Sequence, residues 1–456
     1  MWGAAFAWRD VIPVNDGLGW DGVRFAKMVE RGPEMLPMRE INSYYVQRVG
    51  PSLAVRALLQ ATGQPLDTAS IRYGFIFLNL TLLSLAMLLM MDAAALLSLN
   101  NAGRWILFIG LFLTPANGRL PIYYAPIGDS TAFFLGALIV WGYVTRRPIA
   151  MVVAFVLAIV CWPAAFLLLP LLVWPRAMGE TRHELDIKPL PLSLRIAVIV
   201  LAIPVGWLLL MALTKAVAMP PVEVWTTQLK IAVGSNALVL GCAAGFALVV
   251  AALNVRRATS KPSMAGVMAA VALIAASVLY VRRFESGSLA FGGDTFAREM
   301  LLFVRSGPFA SLVGHTAYYS ALAVLAMALW PEVLRSALRL GPGAFLGTAL
   351  SGLIALDAES RRLNAYWPLV ALVTVLAAQA AWLRGRQPMI LAGACLILSK
   401  LWWPMTGPNL FPAAHDPGNY FNTQGPSMSN EAILANGLMA LVLSVWIWKT
   451  ADTRTE

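Results

Sequence analysis

From Pro148 to Pro175 the chain carries no charged residue at all. Crossing the hydrocarbon core takes roughly 20 apolar residues of helix. A run this long, in a chain with several others, constrains the fold more than any other feature. The runs do not alternate apolar with polar residues, so they do not describe a membrane barrel. Composition agrees: 59% of the 456 residues are hydrophobic and only 12% charged, with mean hydropathy +0.70. Soluble domains carry about 25% charged residues. The expectation is an all-α polytopic membrane protein.

Hydropathy and charge breaks give candidate membrane helices at 72–91, 104–117, 130–145, 148–161, 164–175, 196–214, 231–255, 264–280, 311–330, 343–356, 365–383, 388–404 and 431–448, about thirteen in all. Pro163 splits the pair around "CWPAAF", which reads as a hairpin, with a single tilted span as the alternative. The hairpin puts "TRR" (145–147), "RAMGETRHELDIK" (176–188), "RRATSK" (256–261), "PEVLRSALR" (331–339), "RGR" (384–386) and the tail 449–456 on one face. By the positive-inside rule that face is cytoplasmic. A membrane domain 72–448 then follows an external region 1–71, with further external loops at 116–129, 281–310, 357–367 and 405–430. Most acidic residues fall in these external loops. Chemistry is therefore expected on the outer face.

The net charge of +11 comes from 34 Lys and Arg against 23 Asp and Glu. The basic residues are scattered among loops, so membrane orientation and anionic lipid explain them better than nucleic acid. Cys161, Cys242 and Cys395 sit in apolar runs and form no CxxC pair. They say nothing about redox compartment. No nucleotide-binding or nucleophile-elbow motif is present. His183, His315 and His415 fall in separate segments, so no cluster has metal-ligand spacing.

The external region 1–71 is too long for a connector. "GWDGVRFAKMVERG" and "NSYYVQRVGPSLAVRALLQATG" each place apolar residues on one helical face and charged ones on the other. Both read as amphipathic helices lying at the membrane interface. Asp21 would sit at the start of the first, and Asp16 just before it. Each is also read as a helix cap or turn residue. Asp129 precedes a span, where it could cap the helix through its side chain.

"GWDGVRF" (19–25), "YYVQRVGPSLAV" (44–55), "YYAPIGDSTAFFL" (123–135) and "ESRRLNAYWP" (359–368) occur in that order, all on the outer face. Together they resemble the C-type superfamily of membrane glycosyltransferases, in particular its bacterial members. The pieces span most of the chain. The resemblance implies transfer of a sugar from a polyprenyl-phosphate donor to a hydroxyl of a glycan or lipid acceptor. It implies an integral protein of the bacterial inner (plasma) membrane, with its site facing the periplasm. Members begin with a membrane helix before the aspartate loop. Here only "MWGAAFAW" precedes it, which suggests a truncated first helix at 1–8.

The chemistry assigns residues. A carboxylate within reach of the acceptor hydroxyl acts as base, with Asp21 first and Asp16 second. The leaving phosphate needs fork-shaped cationic donors. Arg48, Arg282, Arg283, Arg298, Arg361 and Arg362 are the candidates, with interfacial snorkelling as the alternative for each. Asp129 is a candidate to bind the acceptor or to position the base. In "HDPGNYFN" (415–422), His415 and Tyr420 are candidate substrate contacts, Tyr420 as a stacking platform, or else parts of a turn-rich loop. No cofactor is expected, and a divalent metal is neither required nor ruled out by the sequence. Two other functions fit in outline: a transporter or flippase for lipid-linked saccharides, and a polysaccharide polymerase or ligase.

Overall fold

The computed structural model describes residues 10–36, 43–176, 191–216, 226–254, 261–284, 309–357, 359–406, 418–423 and 427–452. Among them every regular element is helical. In chain order the main helices are α1 (Gly19–Arg31), α2 (Val49–Ala61), α3 (Thr68–Leu96), α4 (Asn101–Phe112), α5 (Asp129–Val144) and α6 (Pro148–Cys161). After these come α7 (Leu192–Ala216), α8 (Thr227–Leu253), α9 (Met264–Phe284), α10 (Ala310–Tyr319) and α11 (Ala321–Ala328). The last are α12 (Trp330–Leu340), α13 (Pro342–Ile354), α14 (Trp367–Ala381), α15 (Gln387–Leu398) and α16 (Asn430–Asp452).

Local chemistry sets the boundaries. Asp67 caps α3 by accepting from Ser70 N at 2.8 Å, and Asn100 caps α4 by accepting from Gly103 N at 2.8 Å. Pro163 follows the end of α6 and starts a turn. Ser320, at φ +68°, separates α10 from α11.

Among the described residues four helices are long and apolar enough to cross a membrane, within α3, α8, α9 and α16. Counting each of two bent pairs as one span gives six: α4 with Pro115–Tyr123, bent by 64°, and α11 with α12, bent by 84°. The sequence expectation of about thirteen also counted several stretches that form helices of 10–17 residues. At 1.5 Å per residue these fall short of a hydrocarbon core of about 30 Å. Large apolar side chains stay exposed on the long helices, such as Phe77 and Leu88 on α3 and Val271 and Leu279 on α9. A bilayer would cover such faces, and they suit an integral membrane protein. α7 and α8 cross in close contact through glycine. A Cβ on Gly206 would lie 1.8 Å from Ala237 O, and one on Gly241 2.0 Å from Ala202 O.

The connectors form two groups. In one, Tyr143 Oη donates to Leu340 O at 2.9 Å, Arg176 Nη1 to Val144 O at 3.0 Å, and Trp448 Nε1 to Ala328 O at 3.1 Å. In the other, Tyr124, Arg119, Trp162, Tyr280, the turn Ser360–Leu363 and the 401–406 segment gather around α1 and the start of α2. Trp162 belongs to the second group. Val173 O, which accepts from Ser263 N at 2.8 Å, and Arg176 are at the first. The two halves flanking Pro163 therefore run in opposite senses, as the hairpin expectation has it. A main core packs α3–α6 with α10–α16. A second, smaller one joins α1 and α2 to the start of α3 through Phe25, Met28, Val55, Leu59, Ile71 and Phe75.

Candidate functional site

The segment before α1 has an unusual backbone. Asn15, Asp16, Gly17 and Gly19 all have positive φ, from +49° to +87°. Asn15 Nδ2 closes this turn on Gly19 O at 2.8 Å. Gly19 is required twice over: its φ is +70°, and a Cβ there would lie 2.3 Å from the Tyr124 ring. Tyr124 can therefore pack onto the first turn of α1, where no side chain caps the helix. Its hydroxyl accepts from Asp21 N at 2.9 Å, satisfying one of the orphan donors of a helix start. Burial, and after it the Asp21 charge, pushes the Tyr124 phenol up to about 12, so it keeps its proton.

Asp21 stands in this first turn, half-buried. Tyr45 Oη donates to its Oδ1 at 2.9 Å. Burial and then Asp21 itself raise the Tyr45 phenol, fixing Tyr45 as the donor. Among the described residues Oδ2 of Asp21 makes no hydrogen bond. One carboxylate oxygen is held and the other is open.

The aromatic mount continues to a guanidinium. The Tyr45 ring meets Tyr44 edge-on at 4.9 Å between centroids. Arg48 lies 4.0 Å from the Tyr44 ring centroid and 4.1 Å from that of Trp162, and its Nη1 donates to Tyr44 Oη at 2.6 Å. Among the described residues no carboxylate forms an ion pair with Arg48, although it keeps part of its surface accessible. Burial lowers its pKa from the ordinary arginine value, and Arg361 adds to that, while Tyr44, Glu359 and Asp129 act against it.

The turn Ser360–Leu363 brings Arg361 and Arg362 to the same place. Glu359 takes Arg361 on Oε1 and Arg362 Nε on Oε2, the latter at 2.9 Å. Arg362 Nη1 lies 2.7 Å from Asp357 Oδ2. Burial opposes the Glu359 charge, but Arg361 and Arg362 outweigh it and hold the carboxyl below its usual range. Asp357, wholly buried, is pushed up to about 7 by that burial despite Arg362. Beneath the turn, His315 Nε2 faces Ala355 O at 2.8 Å and Nδ1 faces Ser360 Oγ at 2.9 Å. A carbonyl only accepts, so the proton is assigned to Nε2, and Nδ1 accepts from the serine.

Asp129 opens α5 but does not cap it. The buried carboxylate turns inward, where Tyr318 Oη donates to Oδ2 at 3.1 Å, and Oδ1 is buried without a partner among the described residues. Tyr319 Oη lies 2.6 Å from Asn364 Oδ1 and 2.9 Å from Ser360 O, with one proton to share between them, and so joins α10 to the arginine turn.

Asp21, Arg48, Asp129, Arg361, Arg362 and Tyr420 thus come together from distant parts of the sequence. Tyr420 is a correction in kind. It is 3% exposed, stacked on Tyr123 at 5.7 Å and covered by Trp20 and Tyr124, so it supports the site from below and cannot present an open stacking face. Asp16 is an exposed left-handed turn residue, and the structure gives its carboxylate no contact with the cluster. Arg282 and Arg283 are exposed on the last turn of α9 and do not join it. Arg298 and His415 lie outside the described residues, as does 1–8.

Sequence reasoning missed the mount itself: Tyr45, Tyr124, Tyr318, Trp162 and Glu359. A signal was available. The chain has three Tyr–Tyr doublets, at 44–45, 123–124 and 318–319, and all three end up here. Among the described residues no group of three or more His, Cys, Asp or Glu is arranged to hold a metal. Comparison of the chain with protein-family models, with curated proteins and with solved structures finds no match.

Proposed function

We propose that the chain is an inverting glycosyltransferase of the C-type kind, taking a sugar from a polyprenyl-phosphate donor on the non-cytoplasmic face. One observation carries this: a half-open carboxylate, Asp21, and a guanidinium with no carboxylate partner among the described residues, Arg48, share one aromatic mount. A base and an anion receiver carried by one mount are what transfer from a phosphate requires. Asp21 Oδ2 takes the acceptor hydroxyl proton. The acceptor oxygen bonds to the anomeric carbon as the bond from that carbon to the phosphate oxygen breaks. The electron pair leaves with polyprenyl phosphate, which Arg48 and Arg361 receive. Asp129, held by Tyr318, keeps its Oδ1 buried behind the site and is given no substrate contact. No step calls for a metal.

The same reading takes α1 and α2 as interfacial helices, pairs the short apolar helices into further crossings, and sets the cluster on the periplasmic side of a bacterial plasma membrane. The gathering of charge at one end of the bundle favours an interface enzyme over a transporter or flippase, whose charged groups would line the crossing. A polymerase or ligase would use the same site with a different acceptor.

The test is transfer in proteoliposomes from a panel of polyprenyl-phosphate sugars. Asp21→Asn is expected to lower the rate by about 10²-fold or more, with thermal stability unchanged. Asp16→Asn should retain the wild-type rate. Full transfer by a folded Asp21→Asn protein would sink the assignment.

A further inference from the structure

Ser311, His315, Tyr318 and Tyr319 recur on one face of α10 at helical spacing, and all are buried. Each is spent on the cluster end. Ser311 Oγ donates to Asn236 Oδ1 at 3.2 Å, and Asn236 Nδ2 donates to Leu356 O at 3.1 Å. Tyr318 holds Asp129, and Tyr319 reaches Ser360 O and Asn364. His315 grips the chain on both sides of the two carboxylates that hold the arginines. Its Nε2–H donates to Ala355 O at 2.8 Å, before Asp357. Its Nδ1 accepts from Ser360 Oγ at 2.9 Å, after Glu359. Both ring nitrogens are used, so the ring has one orientation and ties the two strands of the turn together.

Close packing does not fill this side of the turn. A pocket of about 70 Å³ lies against His315, Ala355 and Leu363. The turn has room to shift there, so the hydrogen bonds set its position. Arg361 is what they carry. Glu359 holds it through Nε, and its side chain keeps 18% of its surface open. Its forked end makes no hydrogen bond among the described residues. A bidentate contact with phosphate oxygens needs that fork fixed in place. We infer that His315 is a positioning residue: through Ala355 and Ser360 it sets the turn so that Arg361 meets the phosphate of the lipid donor. This rests on the transferase reading, in which Arg361 receives that phosphate. A residue that only stabilises the fold would lower the unfolding temperature without acting through Arg361.

The experiment is a double-mutant cycle on the full chain in nanodiscs of zwitterionic lipid. Binding of polyprenyl phosphate is measured, with uncharged polyprenol as the control, and transfer kinetics are followed alongside. His315→Phe keeps the ring shape and should weaken phosphate binding about tenfold, the effect of losing two hydrogen bonds in one turn. His315→Asn can still accept from Ser360 and His315→Gln can still donate to Ala355, so each should lose less and serves as the folding control. Polyprenol binding should not change. In an Arg361→Gln background His315→Phe should have little further effect, because residues acting through one contact are not additive. The donor KM should rise with kcat changed less. Equal weakening in both backgrounds, no weakening in either, or a wild type that binds the phosphate no better than polyprenol overturns the inference. The two readings fail separately. Coupled phosphate binding without transfer from any polyprenyl-phosphate sugar sinks the enzyme and leaves the positioning role. Efficient transfer with a donor KM indifferent to His315 does the reverse.

Discussion

At the scale of single residues, Asp357 gives the site its pH dependence. Its folded carboxyl is pushed up to about 7 by burial, against about 4 in an unfolded chain. Between those values the folded state keeps a proton that the unfolded state has released, so stability falls as pH rises. The loss should be on the order of 1 kcal/mol per pH unit and level off above pH 7. Glu359 is shifted the other way, downward, so its contribution is lost only in acid, below this window. Asn stands in for the protonated aspartate. The difference in unfolding temperature between wild type and Asp357→Asn, followed in detergent, should therefore turn against the wild type from pH 5 to 7. A difference that is constant or grows in favour of the wild type would sink the assignment. The sequence marked Asp21, Arg48, Asp129 and Arg361 because their types and sidedness suit phosphate-sugar chemistry. It did not mark Glu359 as the tether of two arginines or Tyr45 as the holder of Asp21. Those roles depend on which segments meet, and no spacing within one segment encodes that. Asp129 shows the limit most clearly. Its position before a span suggests a cap, yet the capping geometry is absent and Tyr318, 189 residues away, takes the carboxylate.

At the scale of elements, the long helices were legible as spans, and the short ones as helices near their observed bounds, such as 148–161 for α6, but not as elements too short to cross alone. α3, α8, α9 and α16 follow from unbroken apolar length. Elsewhere the apolar signal runs through a break such as Ser320, inside the expected span 311–330, because hydropathy measures burial and not backbone geometry. A buried ion pair ties three of the connecting elements together. Arg119, 4% exposed, pairs with Asp10 and donates to Leu401 O at 3.0 Å and Trp403 O at 2.7 Å. Asp10 in turn accepts from Met405 N at 3.0 Å and Thr406 Oγ1 at 2.5 Å. The same segment holds the Tyr420 turn, through Asn419 N to Met405 O at 2.9 Å. Arg119→Met leaves Asp10 without its counter-charge and is expected to lower stability by about 3–5 kcal/mol. Adding Asp10→Asn should recover part of that loss, since the stranded charge is then gone. Thermal unfolding of the two variants measures both effects. A single variant as stable as wild type would show that the backbone contacts alone hold the segment.

At the scale of the whole molecule, the contacts define two ends. One holds the Asp21–Arg361 cluster. The other holds the Tyr143, Arg176, Ala328 and Trp448 contacts, beside connectors such as 145–147 and 384–386 that carry basic residues. The proposal above places the cluster outside, and the positive-inside rule is what supports that placing. Thiol labelling in cells tests that orientation against a low background, because Cys161 and Cys395 are buried and Cys242 is half-buried. Glu34 is exposed beside α1, at the cluster end, and Arg386 is exposed between α14 and α15, at the other. A membrane-impermeant maleimide should label Glu34→Cys in intact cells whose outer envelope has been opened. It should label Arg386→Cys only after the plasma membrane is permeabilised. The reverse pattern would put Asp21 and its arginines in the cytoplasm. The base and phosphate receiver would then face nucleotide-sugar pools, and the case for a polyprenyl-phosphate donor would fall with the orientation.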